Sequence, residues 1–336
     1  MELNFNEYRK VKLFKNNSGK RLTNSELEKF NEFIDWVNNN IQRKRIILFY
    51  RGTNKTELKD RIKAKYILAQ NNPWMNYLFL FGEKSKSYRI KKTDKNESTD
   101  EFLNSIQDLS EHTFKYIFDK IREILQDEEN DVVKKFNQSN PGMKEYFTNR
   151  ENCKDFIDKA ISVNYLDKFK IRNYYLRLIH TISKLGKNNE YSCFVSTTTD
   201  RSEADNFANS NDGVIILYWL PQPINRFGLS LGIVQQMAQT ISELQLPLYF
   251  SEFYPKENEF SVLGALFRGH IIGYLDRDKL VINPHILNQD SFNDETIENG
   301  IETGNIETQS SNIEKFSNFG RQVVLYGNTL FRDKKL

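Results

Sequence analysis

The chain has 336 residues, of which 38% are hydrophobic and 28% are charged. These values fit a globular protein with one large domain or two ordinary ones, and they exclude a disordered chain. The 48 Lys and Arg residues nearly balance the 45 Asp and Glu residues, so the net charge of +3 does not by itself indicate a nucleic-acid partner.

An N-terminal helical segment is predicted over residues 1–45. Thr23 is a candidate helix N-cap, and an acid, Glu26, follows it in the first turn. Apolar residues then recur at helical spacing, at Leu27, Phe30, Phe33, Ile34 and Val37. The β-branched and aromatic run at residues 46–50 predicts the first strand.

The middle of the chain is predicted to be mainly helical. Residues 77–81 read as a short strand and residues 84–95 as a polar loop. From residue 99 to 186, apolar residues follow a helical period, and Gly186 suits a helix end. We interpret residues 99–186 as a helical insertion in a domain that spans residues 46–285.

The remaining elements alternate between strands and helices. Strands are predicted at residues 192–198, 213–220, 260–266 and 270–275, and helices at residues 202–209 and 234–244. The strands at 260–266 and 270–275 are expected to pair across Arg268 and Gly269. Residues 286–336 read as a flexible linker and a C-terminal tail element, because residues 288–312 contain few large apolar side chains.

Three short strings lie at or beside predicted strands. They are Phe-Tyr-Arg-Gly-Thr at residues 49–53, Phe-Val-Ser-Thr-Thr at residues 194–198 and Tyr-Pro-Lys-Glu-Asn-Glu-Phe at residues 254–260. In chain order they supply an arginine, a hydroxyl cluster and a pair of acids.

This ordered set resembles the arginine–serine–glutamate class of mono-ADP-ribosyltransferases, the cholera-toxin-like and clostridial-toxin-like group, over roughly residues 46–275. Enzymes of that class split NAD and transfer ADP-ribose to a macromolecule. The resemblance implies an α+β fold in which two antiparallel β-sheets surround an NAD cleft, with N-terminal helices and a helical insertion. NAD would be a co-substrate bound without a Rossmann fold, because the chain has no glycine fingerprint for a dinucleotide.

The resemblance also implies which residues bind NAD. Arg51 would hold the phosphate and ribose, because its planar guanidinium makes bidentate contacts that lysine cannot make. Gly52 follows it in the motif. The hydroxyl groups of Ser196, Thr197 and Thr198 would orient the ribose and the catalytic glutamate.

The two acids would carry the chemistry. Glu259 would stabilise the positive charge that grows on the ribose as the bond to nicotinamide breaks. Glu257 lies two residues earlier, so both side chains would project from the same face of a strand. In the resembling enzymes this first acid accompanies arginine modification, since a guanidinium with a pKa above about 12 needs a carboxylate to remove its proton.

The acceptor stays open at this point. The aromatic loop before the acids lies where the family recognises its acceptor, and its candidate residues are Tyr249, Phe250, Phe253 and Tyr254. Exposed rings in this loop would stack on an arginine or on a base of RNA or DNA. The alternative for Phe250 and Phe253 is that they belong to the core. A pure NAD glycohydrolase and a non-catalytic binding module on the same scaffold are the further alternatives.

Other features bear on cofactors and location. Cys153 and Cys193 are predicted to be free thiols, and the four histidines show no metal-ligand spacing, so no metal is expected. The sequence shows no signal peptide and no apolar run near the roughly 18 residues of a membrane helix. We therefore expect a cytoplasmic enzyme with no membrane contact. The resemblance implies a bacterial toxin that acts in a toxin–antitoxin or phage-defence system, with an antitoxin protein as partner, or that is injected into another cell.

Overall fold

The chain folds into two units. The first comprises residues 1–97, 196–228 and 258–336, and the second comprises residues 98–195 and 229–257. The structure is a computed structural model, and it describes residues 12–15, 20–62, 78–79, 82–83, 109–127, 129–183, 194–222, 224, 228–249, 258–263, 266 and 270–287.

Nine strands in the described residues form one mixed sheet, most of which belongs to the first unit. They are β1 (Lys12–Lys15), β2 (Lys20–Arg21), β3 (Ile46–Asn54), β4 (Phe194–Thr198), β5 (Gly213–Pro221), β6 (Gly228–Ser230), β7 (Glu259–Leu263), β8 (Ile271–Asp276) and β9 (Lys279–Ile282). Their order across the sheet is β2-β1-β9-β8-β5-β3-β4-β7-β6. Strand β1 runs parallel to β9, whereas β3 is antiparallel to both β4 and β5.

Nine α-helices lie in the described residues. They are α1 (Asn24–Gln42), α2 (Lys55–Ile62), α3 (Glu111–Leu125), α4 (Asp131–Ser139), α5 (Pro141–Thr148), α6 (Asn152–Ser162), α7 (Tyr165–Ser183), α8 (Arg201–Phe207) and α9 (Leu231–Glu243). A 3-10 helix follows the last strand at Pro284–Leu287. None of the helices in the described ranges is long and apolar enough to cross a membrane.

The centre of the sheet is the pair β3 and β5. They are hydrogen-bonded in register from Ile46↔Pro221 to Asn54↔Gly213. Nearly every residue of β5 is buried, which is typical of a strand covered on both faces. This explains why residues 213–220 form a continuous apolar run instead of an alternating one.

The described strands form one sheet, whereas the resemblance implied two, so the prediction of a mixed α and β fold is confirmed only at that coarser level. The two groups of strands meet between β3 and β4, where the register consists of the pair Tyr50↔Thr198. Along β5, by contrast, β3 pairs over its whole length. Strand β3, which carries Arg51, and strand β4, which carries Ser196, are therefore joined by a single register pair, and we call this the narrow junction of the sheet.

Helix α1 covers one face of the sheet and begins as the sequence predicts. The Thr23 side chain accepts a hydrogen bond from the backbone N–H of Glu26, and the Glu26 carboxylate accepts one from the backbone N–H of Thr23, which together form a capping box. The buried face of the helix packs on Leu48, Leu217 and Trp219. Its own buried residues are Phe30, Phe33, Ile34, Val37 and Asn40.

Helix α8 lies directly on the backbone of β3 and β5, and two glycines make this possible. A Cβ atom at Gly52 would lie 1.9 Å from the backbone oxygen of Ala204, and one at Gly213 would lie 1.7 Å from that of Ala208. Ala204 is fully buried against the sheet, whereas Phe207 is 55% exposed.

The second unit has a core of aromatic rings between its helices. Phe147, Phe156 and Tyr175 contact one another edge to face at centroid distances of 5.1 to 5.6 Å. Such edge contacts are the favoured geometry of aromatic pairs. From Ile171 to Ser183, nearly every side chain of α7 is buried, so this helix is the centre of the unit.

Several local predictions differ from the structure. Leu78 and Phe79 are helical, so the strand predicted at residues 77–81 is wrong at these two positions, and its other residues lie outside the described ranges. Strand β7 lies between β4 and β6 instead of beside β8, so the predicted pairing across Arg268 and Gly269 is wrong as well. The tail element predicted within residues 286–336 lies outside the described residues after position 287.

The close approach of α8 to β3 predicts that Gly52→Ala destabilises the protein. Because backbone atoms of α8 occupy the position of the new Cβ, we expect the free energy of unfolding to fall by about 2–3 kcal/mol, measured by urea unfolding. Gly142→Ala in α5 is the matched control, since no heavy atom lies within 4 Å of its added Cβ. A Gly52→Ala variant as stable as the control would contradict this packing.

The burial of His270 predicts a loss of stability at acidic pH. Its Nδ1 donates a hydrogen bond to the Trp219 carbonyl oxygen at 3.0 Å, and burial lowers the pKa of His270 from 6.5 to about 3. The unfolded chain therefore binds a proton as the pH falls below 6.5, while the folded chain does not. From pH 7 to pH 5 this one group should remove about 2 kcal/mol of stability. The measurement is the difference between the wild type and His270→Gln in unfolding free energy at both pH values. Equal pH dependence of the two proteins would contradict a buried neutral imidazole.

Candidate functional site

Arg51 lies near the centre of the sheet and is only 6% exposed. Its Nε donates to Oε2 of Glu83 at 2.6 Å, and its Nη1 donates to the backbone carbonyl oxygen of Ser196 at 2.8 Å. In register, Arg51 is opposite Ile216 of β5, which is opposite Tyr274 of β8. Opposed residues project from the same face of a sheet, so the guanidinium shares its face with Tyr274.

Glu83 reaches Arg51 from a short helical turn. The backbone N–H of Gly82 donates to the carbonyl oxygen of Leu78, and Gly82 adopts a φ of 69°, which reverses the chain immediately before Glu83. Phe79 in this turn stacks on Tyr274 with a centroid distance of 5.8 Å. Sequence reasoning missed Glu83, and the only local signal was the glycine that precedes it.

The predicted hydroxyl cluster connects strands. The Thr197 hydroxyl donates to the backbone carbonyl oxygen of Phe260 at 2.7 Å, and Thr197 is 3% exposed. The Thr198 hydroxyl accepts from the backbone N–H of Asp200, which in turn caps α8. These two hydroxyls therefore fix β4 to β7 and to the turn into α8. Ser196 is half-buried, and its backbone contacts Arg51.

Glu259 is the first residue of β7 and is half-buried. Its Oε1 accepts a hydrogen bond from the hydroxyl of the buried Ser261 at 3.1 Å, a partner that the sequence analysis did not identify. The ring of Phe260 stacks on Phe49 at a centroid distance of 4.7 Å. Because side chains alternate along a strand, Glu259 and Ser261 leave β7 on the side opposite Phe260.

The three motif strands are thus consecutive in the sheet and joined by direct contacts. Arg51 of β3 contacts the backbone of Ser196 on β4, and Thr197 of β4 contacts the backbone of β7 next to Glu259. The second acid, Glu257, lies outside the described residues, as do Phe250, Phe253 and Tyr254, so their assigned roles stay predictions.

Tyr249 lies in the second unit, and its ring is packed in the core of that unit. It is 7% exposed, with ring centroids 4.8 Å from Tyr174 and 6.4 Å from Phe136. Its backbone N–H donates to the Tyr174 hydroxyl at 3.2 Å. In this structure the ring is not exposed for stacking on an acceptor, in contrast to the role that the resemblance gave it.

Neither a metal site nor a disulfide is found in the described ranges. No group of three or more His, Cys, Asp and Glu side chains there could hold a metal ion. Cys153 is a half-buried free thiol, and burial raises its pKa, which makes it a weaker nucleophile. Cys193 lies outside the described residues.

The chemistry available at this site is anion binding beside a carboxylate. A guanidinium has five N–H groups, and the contacts of Arg51 with described residues use Nε and Nη1. Nη2 has no partner among those residues and is available to an anionic ligand. Rigid attachment of the guanidinium to Glu83 and β4 lowers the entropy that it would lose on binding such a ligand.

Comparison of the chain with protein-family models, with curated proteins and with solved structures gives no match.

The Thr197 contact predicts that Thr197→Val loosens β7 beside Glu259. Valine has nearly the same shape but leaves the buried carbonyl oxygen of Phe260 without this donor, so unfolding should become easier by about 1–2 kcal/mol. Thr56→Val is the control, because that hydroxyl contacts Asp212 at an exposed position, and its change should stay within about 0.5 kcal/mol. The measurement is chemical unfolding. Equal small losses in both variants would show that the Thr197 contact does not stabilise the strand pair.

Proposed function

We propose that the protein is an NAD-dependent mono-ADP-ribosyltransferase of the arginine–serine–glutamate class that modifies a macromolecule. The supporting observation is the pair of contacts that joins the three motifs, from Arg51 to the backbone of Ser196 and from Thr197 to the residue after Glu259. The three motifs are widely separated in sequence, and their strands are consecutive in the sheet, which is one requirement of a shared NAD site.

The proposed enzyme has the family's two-sheet fold. The narrow junction at Tyr50↔Thr198 supports this, because it separates β2-β1-β9-β8-β5-β3 from β4-β7-β6. In this proposal the two groups of strands behave as two sheets that meet where NAD binds.

In the proposed ground state, Arg51 binds the pyrophosphate of NAD through the N–H groups that face away from Glu83. Arginine suits this task because its donors form a planar fork that matches phosphate oxygens. In this proposal the ribose lies beside β4, and the Ser196 hydroxyl orients it.

The proposed reaction breaks the bond between ribose C1′ and the nicotinamide nitrogen. The bonding electrons go to the nicotinamide ring, which leaves neutral, and the ribose develops oxocarbenium character. The carboxylate of Glu259 stabilises that positive charge. The Ser261 hydroxyl holds this carboxylate in one orientation.

The proposed acceptor is an arginine side chain of a protein. One of its nitrogens forms the new bond to C1′ and loses a proton to Glu257. A guanidinium is protonated at neutral pH, because its pKa exceeds about 12, and it is a poor nucleophile until a carboxylate removes that proton. Nucleobases in RNA or DNA, and water, are the alternative acceptors that the experiment below distinguishes.

The proposed biological role is that of a bacterial toxin acting in the cytoplasm. A transferase that modifies macromolecules of its own cell would need an inhibitor, so an antitoxin protein is the partner that this role requires. Expression in a bacterial host should therefore slow growth unless the catalytic glutamate is replaced.

The proposal predicts that Glu259→Gln abolishes transfer. Removing the charge that stabilises the ribosyl cation should lower the rate at least about a hundredfold, because single electrostatic contacts to a transition state contribute on this scale. The measurement uses NAD labelled in its adenylate part, incubated with cell extract that is then separated into protein, nucleic acid and small molecules.

Glu145→Gln is the matched control, since Glu145 is exposed on α5 and the substitution is chemically identical. We expect label in protein with the wild type and with Glu145→Gln, and none with Glu259→Gln. Label in nucleic acid alone would overturn the arginine acceptor, and free ADP-ribose alone would indicate a glycohydrolase. Wild-type protein that neither binds nor consumes NAD would overturn the enzymatic function.

A further inference from the structure

We propose that Glu83 is a positioning residue for NAD binding, which acts by holding the guanidinium of Arg51 in the orientation that presents Nη2 to the pyrophosphate. This inference rests on the proposed function and adds a residue that lies outside all three motifs.

The geometry of the ion pair fixes the orientation of the guanidinium. Glu83 is completely buried and its Oε2 accepts from Nε of Arg51 at 2.6 Å. A contact at Nε, with Nη1 bound to Ser196, determines the plane of the guanidinium, because the group is rigid and planar. The Nε–H lies on the edge that the group shares with Nη2, whereas the Ser196 carbonyl oxygen is bound at Nη1. The two contacts therefore hold the group from two sides and leave the N–H groups of Nη2 without a partner among the described residues.

The turn that presents Glu83 is itself attached to the sheet. Gly82 adopts a left-handed φ of 69°, which favours glycine, and the turn before it is anchored by Phe79 stacked on Tyr274. Tyr274 belongs to the same cross-strand row as Arg51. The turn is thus attached to the face of the sheet from which the guanidinium projects.

The backbone of Glu83 pairs with the chain that follows β7. Its N–H donates to the carbonyl oxygen of Leu266 at 3.0 Å, and the N–H of Leu266 donates back to Glu83 at 3.1 Å. Leu266 follows β7, the strand that begins with Glu259. Glu83 therefore connects the arginine strand through its side chain with the chain after the glutamate strand through its backbone.

The negative charge of Glu83 beside Arg51 has two opposite conceivable effects on phosphate binding, and experiment can distinguish them. A carboxylate beside Arg51 either orients the guanidinium for phosphate or competes with phosphate for it. The contact at Nε favours orientation, because bidentate competition would occupy Nη2 as well, and Nη2 has no partner among the described residues.

The test measures KM for NAD, kcat and NAD affinity by calorimetry for wild type, Glu83→Gln, Glu83→Ala, Arg51→Ala and the double variant Arg51→Ala with Glu83→Ala. A side chain displaced by about 1 Å can cost up to about a hundredfold, so Glu83→Ala should raise KM at least about tenfold and change kcat little. Glu83→Gln keeps an oxygen acceptor for Nε and should restore most of the affinity. The double variant should bind NAD no more weakly than Arg51→Ala alone.

A merely structural role would reduce the active fraction, so kcat would fall while KM stayed constant, and that result would overturn the proposal. Tighter NAD binding in Glu83→Gln would also overturn it, because Glu83 would then be a competitor. If Glu83→Ala does not fold, Gly82→Ala provides the second variant: it keeps every polar group but strains the turn, and it should also raise KM. If the wild type binds NAD and the Glu83 and Gly82 variants all have the same KM as the wild type, the positioning role of Glu83 is wrong and the proposed function stands. If the wild type does not bind NAD, the proposed function and this inference are both wrong.

Discussion

The buried ion pair between Arg51 and Glu83 is the constraint around which the site is built. A guanidinium that is 6% exposed inside a sheet requires a counter-charge and hydrogen-bond acceptors, and Glu83 and the Ser196 carbonyl supply them. Removal of one partner from such a pair typically costs about 3–5 kcal/mol, because the other charge remains buried. Strand β3, strand β4 and the turn at Gly82 are therefore connected through one side chain.

Arg51 and Gly52 show how neighbouring residues of one strand serve opposite faces of the sheet. Gly52 has no side chain, and this lets the backbone of Ala204 in α8 lie against β3. Arg51 projects to the other face, towards Glu83. Helix α8 begins directly after β4, with Asp200 as its cap and Thr198 bonded to that turn. Gly52 thus lets α8 pack on one face of β3, which fixes the end of β4 from which α8 continues. The backbone of β4 contacts Arg51, which projects from the other face of β3.

Sequence patterns predicted correctly those helices and strands that are determined by residues close together in the chain. The strand at residues 46–50 and helix α1 are confirmed, since aromatic and β-branched runs and a capping box act within a few residues. The pairing of β7 with β4 was not predicted, because strand neighbours are chosen by contacts between distant segments. Glu83 was missed for the same reason, as its partner lies 32 residues away and its turn reads as an apolar strand.

A crystal structure of the protein with an NAD analogue that cannot be cleaved is the most direct test of the proposed site. We predict that the pyrophosphate lies within about 3 Å of Nη2 of Arg51, and that the ribose bonded to nicotinamide faces the carboxylate of Glu259. Phe49 and Arg51 leave β3 on the same face, and Phe260 stacks on Phe49, so alternation along β7 directs Glu259 to the side opposite Phe260. This measurement therefore decides whether the junction between β3 and β4 lets one ligand reach both charged groups. A dinucleotide bound elsewhere, or Arg51 and Glu259 on opposite sides of the sheet with no ligand in common, would contradict the account.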